Sequence, residues 1–161
     1  YIKRFLSIPQ LFLGIAFGWS IPIAFAAQTN QTNILTWLLF LITVIWAIIY
    51  DTFYAMSDRK DDLKIGIKST AILFGSLDLL AIAFLQILML TGLILVGILA
   101  ELKNWYFFSL IITIILMIYH QWKARHRDPN SCFKVFKHNQ YIGLIIFIGI
   151  WLDYKLLIAN S

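Results

Sequence analysis

One cysteine, three prolines and eight acids are all that this 161-residue sequence contains of those residues. Cys132 alone excludes an intrachain disulfide and with it any fold stapled by one. Charge is scarce too: Asp, Glu, Lys and Arg make up 13% of the chain, where a soluble domain carries about 25%. Gly-rich phosphate loops are missing, since "DDLKIGIKST" lacks the Gly-Lys-Ser/Thr ending of a P-loop. There is no internal repeat, no heptad seam and no convincing Ser/His/Asp or Cys/His set. His120, His126 and His138 fit no metal-binding spacing, and Cys132 does not complete a zinc site. These histidines are expected in solvated or interfacial places.

What is present is grease: 61% of the residues are hydrophobic. The apolar runs fall at roughly 8–27, 34–56, 77–100, 105–121 and 140–158, near the ~20 residues a membrane helix needs. The fold class expected is all-α, a multi-span transmembrane helical bundle with about five spans here. Five alternating spans place eleven of the thirteen cations on one side and leave Lys103 and Lys155 on the other. The positive-inside rule makes the basic side cytoplasmic, with membrane lipids as neighbours. The net charge of +5 then reports topology, and no nucleic-acid partner is implied. Arg125, Arg127, Lys134 and Lys137 read as topology signals and lipid-headgroup contacts. In the first span, Gly14 and Gly18 at i and i+4 permit close helix approach, and Pro22 is expected to kink the helix.

The scarce acids are not scattered. Four of the eight lie in "YDTFYAMSDRKDDLKIGIKST", residues 50–70. If the second helix runs on through residue 62, Asp58 and Asp62 share one face. Asp51 returns to nearly the same face two turns earlier, roughly 10 Å deeper along the axis. Tyr54 falls between them. Like charges at i,i+4 repel, so a compensating cation is expected. Mg²⁺ takes oxygen ligands and commonly shares one or two carboxylates with a substrate phosphate. Arg59, Lys60, Lys64 and Lys68 are the donors a diphosphate would want. Asp51 is also flanked by apolar residues, and an acid inside a membrane span is functional by default. Ser69 and Thr70 fit either a helix cap or a phosphate contact.

The same stretch, continued to "YDTFYAMSDRKDDLKIGIKSTAILFG" (50–75), resembles the second aspartate-rich motif of the UbiA superfamily of intramembrane prenyltransferases, in its bacterial 4-hydroxybenzoate-using branch. "KRFLSIPQLFLGIAFGWSIPIAFA" (3–26) and "NQYIGLIIFIG" (139–149) are similar to further family segments. The likeness spans essentially the whole chain. It implies about nine membrane helices around a central cavity, with two acidic motifs that anchor Mg²⁺ on a polyprenyl diphosphate. The first motif, Asn-Asp-x-x-Asp, has no counterpart here. Residues 1–161 are therefore expected to be the C-terminal part of one such domain, inactive alone. The resemblance assigns Asp58 and Asp62 to the metal, Asp51 to substrate positioning or to support behind the metal ligands, Lys3, Arg59 and Lys68 to the diphosphate, and Tyr54 to the cavity wall. It implies Mg²⁺-dependent prenyl transfer to 4-hydroxybenzoate, ortho to the hydroxyl, in ubiquinone biosynthesis. The allylic C–O bond would ionise, with Tyr50, Phe53 and Tyr54 as candidates to face the carbocation.

Two alternatives stand beside this. One keeps the fold and changes the acceptor to homogentisate, a naphthoate or haem. The other is a transporter or structural membrane subunit. A transporter would place polar residues or broken helices near the bilayer midplane, and spans three to five offer little beyond Gln86 and Thr91.

Overall fold

The computed structural model describes residues 9–159 and is helical throughout, with no strand among those residues. The helices are α1 (Pro9–Gly18), α2 (Ser20–Thr29), α3 (Ile34–Ile65), α4 (Thr70–Phe74), α5 (Asp78–Leu99), α6 (Asn104–Ala124), α7 (Pro129–His138) and α8 (Gln140–Ala159), with a 3₁₀ turn at Gly75–Leu77 before α5. Five stretches are long and apolar enough to cross a membrane: Pro9–Thr29, Ile34–Ile65, Thr70–Leu99, Asn104–Ala124 and Pro129–Leu156. The protein is an integral membrane protein.

The first span is two helices in line. Pro22 has no N–H to offer the Gly18 carbonyl, and its ring crowds that carbonyl, so α1 ends at Gly18 and α2 starts at Ser20. Backbone bonds from Trp19 to Ile15 and from Ile23 to Trp19 carry the chain across the break. The glycines serve as expected. A Cβ on Gly14 would sit 2.9 Å from the Val44 carbonyl oxygen, and one on Gly18 would meet the Phe40 ring at 3.0 Å. Only a residue without Cβ lets α1 lie this close to α3.

The centre of the bundle is α3. It packs against α1, α2, α4, α5 and α7, and contributes the buried Ile49 and Phe53 to a core that also holds Ile82, Met89, Tyr106 and Ile142. A reciprocal cap starts it: Asn33 accepts from the Thr36 N–H, and Thr36 Oγ1 accepts from the Asn33 N–H. It ends at Gly66, whose left-handed φ of 68° suits glycine. Its 32 residues make a rod of about 48 Å, against a hydrocarbon core of about 30 Å. The excess length falls on the polar C-terminal turns.

Two buried carboxylates fix the ends of the bundle. At one end, Asp153 of α8 accepts from the backbone N–H groups of Lys103, Trp105 and Tyr106 at 2.7, 3.1 and 3.2 Å. It thereby satisfies the amides that open α6 and places a negative charge at a helix N-terminus. At the other end, Asp78 heads α5 and is fully buried. Arg59 of α3 is paired to it through Nη2. Arg127, in the α6–α7 connection, reaches it through Nη2 at 2.9 Å and Nε at 3.0 Å. Arg59 Nη2 also donates to the carbonyls of Ala71 and Gly75, and Arg127 Nη2 to that of Ser76. The ends of α3 and α6 and the start of α5 are thus tied at one point.

The basic stretch after α6 reads in the sequence as a connection, but most of it is helical. Asp128 caps α7 by accepting from the Ser131 N–H, and Pro129 takes the first turn. The cations divide by end as expected: Lys103 and Lys155 lie at the Asp153 end, and the other described cations lie at the Asp78 end. Lys3 and Arg4 fall outside the described residues.

Two stability predictions follow from these clasps. Asp153→Ala leaves the three amides without their acceptor and is expected to cost about 2 kcal/mol, seen as a lower Tm in detergent. An unchanged Tm would show the cap to be dispensable. Asp78 is 0% exposed, Arg59 23% and Arg127 37%, so the Arg59 pair is the less screened. Arg59→Ala is expected to cost about 3 kcal/mol and Arg127→Ala about 1 kcal/mol. Equal losses in thermal unfolding would contradict that ordering.

Candidate functional site

The helix that carries the acids does run through residue 62, as α3. Thr52, Phe53, Ala55 and Met56 turn into the core, while Asp51, Tyr54, Asp58 and Asp62 lie on the less buried side. The predicted one-faced stripe is therefore formed. Asp51 and Asp62 are each engaged in contacts within the chain. Asp58 is hydrogen-bonded by the Tyr54 hydroxyl and accepts from Ser57 Oγ at 3.2 Å. These bonds hold one carboxylate oriented while leaving its face partly open. Asp61 points elsewhere, paired on the exposed side with Lys64 at 2.8 Å.

α7 walls the stripe. Tyr54 packs on Phe136 with centroids 5.1 Å apart and on Phe133 at 6.3 Å. Tyr50 meets Phe136 at 6.1 Å. Beside them lies an apolar recess of about 370 Å³, lined by Trp46, Tyr50, Phe136, Lys137, Asn139 and Gln140. The Trp46 indole N–H is buried and has no hydrogen-bond partner among the described residues. Such a group is a ready donor for a polar atom of a ligand.

Several expectations change at this point. Arg59 was expected to face a diphosphate, but its Nη2 is spent on Asp78 and two backbone carbonyls. Phe53 was a candidate to face a carbocation, but it is fully buried and turned to His120, with centroids 6.4 Å apart. His120 itself is not solvated: it is fully buried among Phe53, Tyr119 and His138. Ser69 caps α4 by accepting from the Ile72 N–H. Thr70 shares a hydrogen bond of 2.7 Å with Thr52, and its N–H donates to Gln10. Both are buried, so the capping role is the one realised. Lys68 is exposed in the turn after α3. Lys3 lies outside the described residues.

Sequence reasoning missed Asp78, Asp153 and Gln10. The two acids carried a usable signal, since each stands within or at the head of a long apolar run. Gln10 gave none, because its partner Thr70 is 60 residues away.

The donor set suits a hard divalent cation only in part. Asp58 and Asp62 stand one helical turn apart at the polar end of α3, and a Mg²⁺ ion asks one or two carboxylates of its protein. No group of three His, Cys, Asp or Glu side chains comes together to hold a metal among the described residues. The arrangement can therefore share an ion with a phosphate, and does not by itself enclose one.

The sequence and the fold both have known relatives. The chain is 50% identical over 153 residues to a 4-hydroxybenzoate octaprenyltransferase of Marinobacter nauticus, covering 95% of this chain and 52% of that protein. A protein of the same name from Tolumonas auensis is 52% identical over 152 residues, covering 94% and 53%. The chain thus spans about half the length of the curated relatives it matches. The structure superposes on the apo structure of a UbiA homologue from Aeropyrum pernix K1, with a TM-score of 0.78 at 23% identity over 95% of this chain and 58% of that one. It also superposes on a structure reported for digeranylgeranylglyceryl phosphate synthase in membranes, with a TM-score of 0.74 at 22% identity over 89% and 51%. Both confirm the fold. Residues 1–148 match the UbiA prenyltransferase family, and the chain belongs to that family.

Proposed function

We propose that the protein carrying this chain transfers a polyprenyl group from a polyprenyl diphosphate to 4-hydroxybenzoate, on the ring carbon ortho to the hydroxyl, as a step of ubiquinone biosynthesis in a bacterial inner membrane. The observation that carries this reading is the identity of about half the residues with proteins of that named activity, over nearly all of this chain. Prenyltransferases of this family generally use a divalent metal, and the reading takes it to be Mg²⁺.

Asp58 and Asp62 would hold the ion at the mouth of the site, with Tyr54 and Ser57 fixing Asp58. When bound, Mg²⁺ supplies positive charge opposite the diphosphate oxygens. Asp51, deeper in α3, positions substrate. Lys68 offers a charged donor to the diphosphate, and Lys3 is proposed for the same role. Arg59 is left out of this set, because Asp78 already holds it. As the allylic C–O bond breaks, its electron pair leaves with the diphosphate, where preorganised positive charge is most effective. The ring carbon then forms the new C–C bond and loses its proton. Phe133, Phe136 and Tyr50 form apolar walls that keep water from the cation, and the tyrosine and phenylalanine faces can stabilise it. The recess beside Tyr50 offers room for an apolar or aromatic substrate part, with the Trp46 N–H to orient it.

Membranes expressing the full-length protein are expected to transfer the prenyl group to radiolabelled 4-hydroxybenzoate in the presence of Mg²⁺ and to stop on EDTA treatment. Asp58→Ala and Asp62→Ala are each expected to lower turnover by at least about 100-fold, with normal insertion measured by membrane fractionation. Full turnover in either variant would remove that residue from the metal set. Faster turnover with homogentisate or a naphthoate would retain the fold and change the acceptor.

A further inference from the structure

A larger pocket of about 500 Å³ lies between α6, α7 and the start of α8, and shares Lys137 and Gln140 with the recess beside Tyr50. Its charged walls are Lys123 of α6 and Lys134 and Lys137 of α7, and His138, Tyr119 and Tyr141 close its sides. No acid lines it. The concentration of charge is costly. Lys134 and Lys137 stand at i,i+3 on a ten-residue helix, where like charges destabilise. Lys137 relieves part of this by lying over the Phe133 ring at 4.9 Å. Lys123 and Lys134 have no ion pair among the described residues.

The walls are also ordered. His138 packs edge-on against Tyr141 with centroids 4.8 Å apart, and tilted against Tyr119 at 6.0 Å. Behind them sits His120, fully buried, its ring 5.9 Å from that of His138. Neither nitrogen of His120 has a hydrogen-bond partner among the described residues. An aromatic frame of edge-on and tilted rings, cations without acids and buried polar capacity in reserve make a concave site, not a loose scatter of surface lysines.

Its place in the fold says which anion fits. Arg59 and Arg127 meet at Asp78, so the C-terminal end of α6 lies at the same end of the bundle as the polar end of α3. Tyr119, Trp122 and Tyr141 are exposed around the pocket, as aromatic side chains are at a membrane–water boundary. Arg125 lies over the Trp122 ring at 4.5 Å, adding a cation at that level. A basic pocket between membrane helices at this depth suits the phosphate of a lipid headgroup. We propose that this pocket binds the phosphate of an anionic phospholipid, with Lys123 and Lys134 as its principal donors and Tyr119 and Tyr141 as flanking walls.

The test uses the full-length protein in detergent, with any sequence encoded ahead of Tyr1 included. Amine acetylation of Lys123 and Lys134 is followed by mass spectrometry with phosphatidylglycerol, with phosphatidylcholine, or with inorganic phosphate. Lys155, at the other end of the bundle, is the internal control. At ten times the dissociation constant, phosphatidylglycerol is expected to slow both lysines about tenfold, leaving Lys155 unchanged, and added salt is expected to weaken the effect. Equal protection by phosphatidylcholine, or protection by inorganic phosphate to which the lipid adds nothing, overturns the lipid assignment. In a second measurement, phosphatidylglycerol should raise the Tm of the wild type and not that of the Lys123→Gln/Lys134→Gln double variant. An equal rise in both overturns the site. Because acetylation is read on the wild type, a variant that fails to fold does not remove the test.

Discussion

The carboxylate of Asp78 is the point on which the polar end of this bundle depends. It is buried, it opens α5, and it draws in one arginine from the acid-bearing helix and another from the α6–α7 connection. An ion removed from water this completely is tolerable only if it is paired and its lone pairs are filled. Arg59, Arg127 and the Leu79 N–H fill them. Arg59 lies between Asp58 and Asp62 in sequence, so the clasp also sets how α3 is rotated. Arg59 directed at α5 stands about 100° around α3 from Asp58 and about 60° from Asp62, so the clasp borders the stripe. A residue first read as a substrate contact thus ties the helix that bears the stripe to the start of α5.

The bilayer imposes the second constraint. Backbone groups cannot be left to water inside it, so the spans are helices and their ends need local partners. The Asn33–Thr36 box, the αL Gly66, the Ser69 cap and the Asp153 carboxylate are four solutions to that one requirement. They also explain why α3 can be longer than the membrane is thick. Its apolar part is spent in crossing, and its capped polar part projects the stripe beyond the apolar core, where the diphosphate and ion of the proposed reaction would approach.

Much of this was legible in the sequence, because it rests on periodicity and charge. The five spans, the sorting of cations, the Gly14 approach, the break near Pro22 and the one-faced spacing of Asp51, Asp58 and Asp62 depend only on neighbours a few residues apart. What escaped depends on long-range partners. The sequence around Arg59 does not distinguish a phosphate donor from a partner of Asp78, 19 residues on. Phe53 and Tyr54 are adjacent and equally aromatic, yet helical rotation turns one into the core and the other to the stripe. His120 reads as interfacial from its basic surroundings, and only the packing of α6 on α3 and α7 buries it. The basic connection hid α7, because a ten-residue amphipathic helix is too short and too polar to register as a span.

That short helix organises two different surfaces. Phe133 and Phe136, at i,i+3, meet Tyr54 and Tyr50 and close the acid stripe. Lys134 and His138, at i,i+4, face the basic pocket, while Cys132 and Val135 are buried beneath. One rotation of α7 therefore fixes both the apolar wall of the proposed transfer site and the cations of the proposed lipid site. Asp128 and Pro129 fix its start, and Asn139 joins it directly to α8, so it has little freedom to tilt. A ligand that draws Lys134 inward must load the same helix that carries Phe133 and Phe136. The proposed lipid site and the proposed transfer site therefore share one short helix, whose rotation sets the side chains that each of them receives.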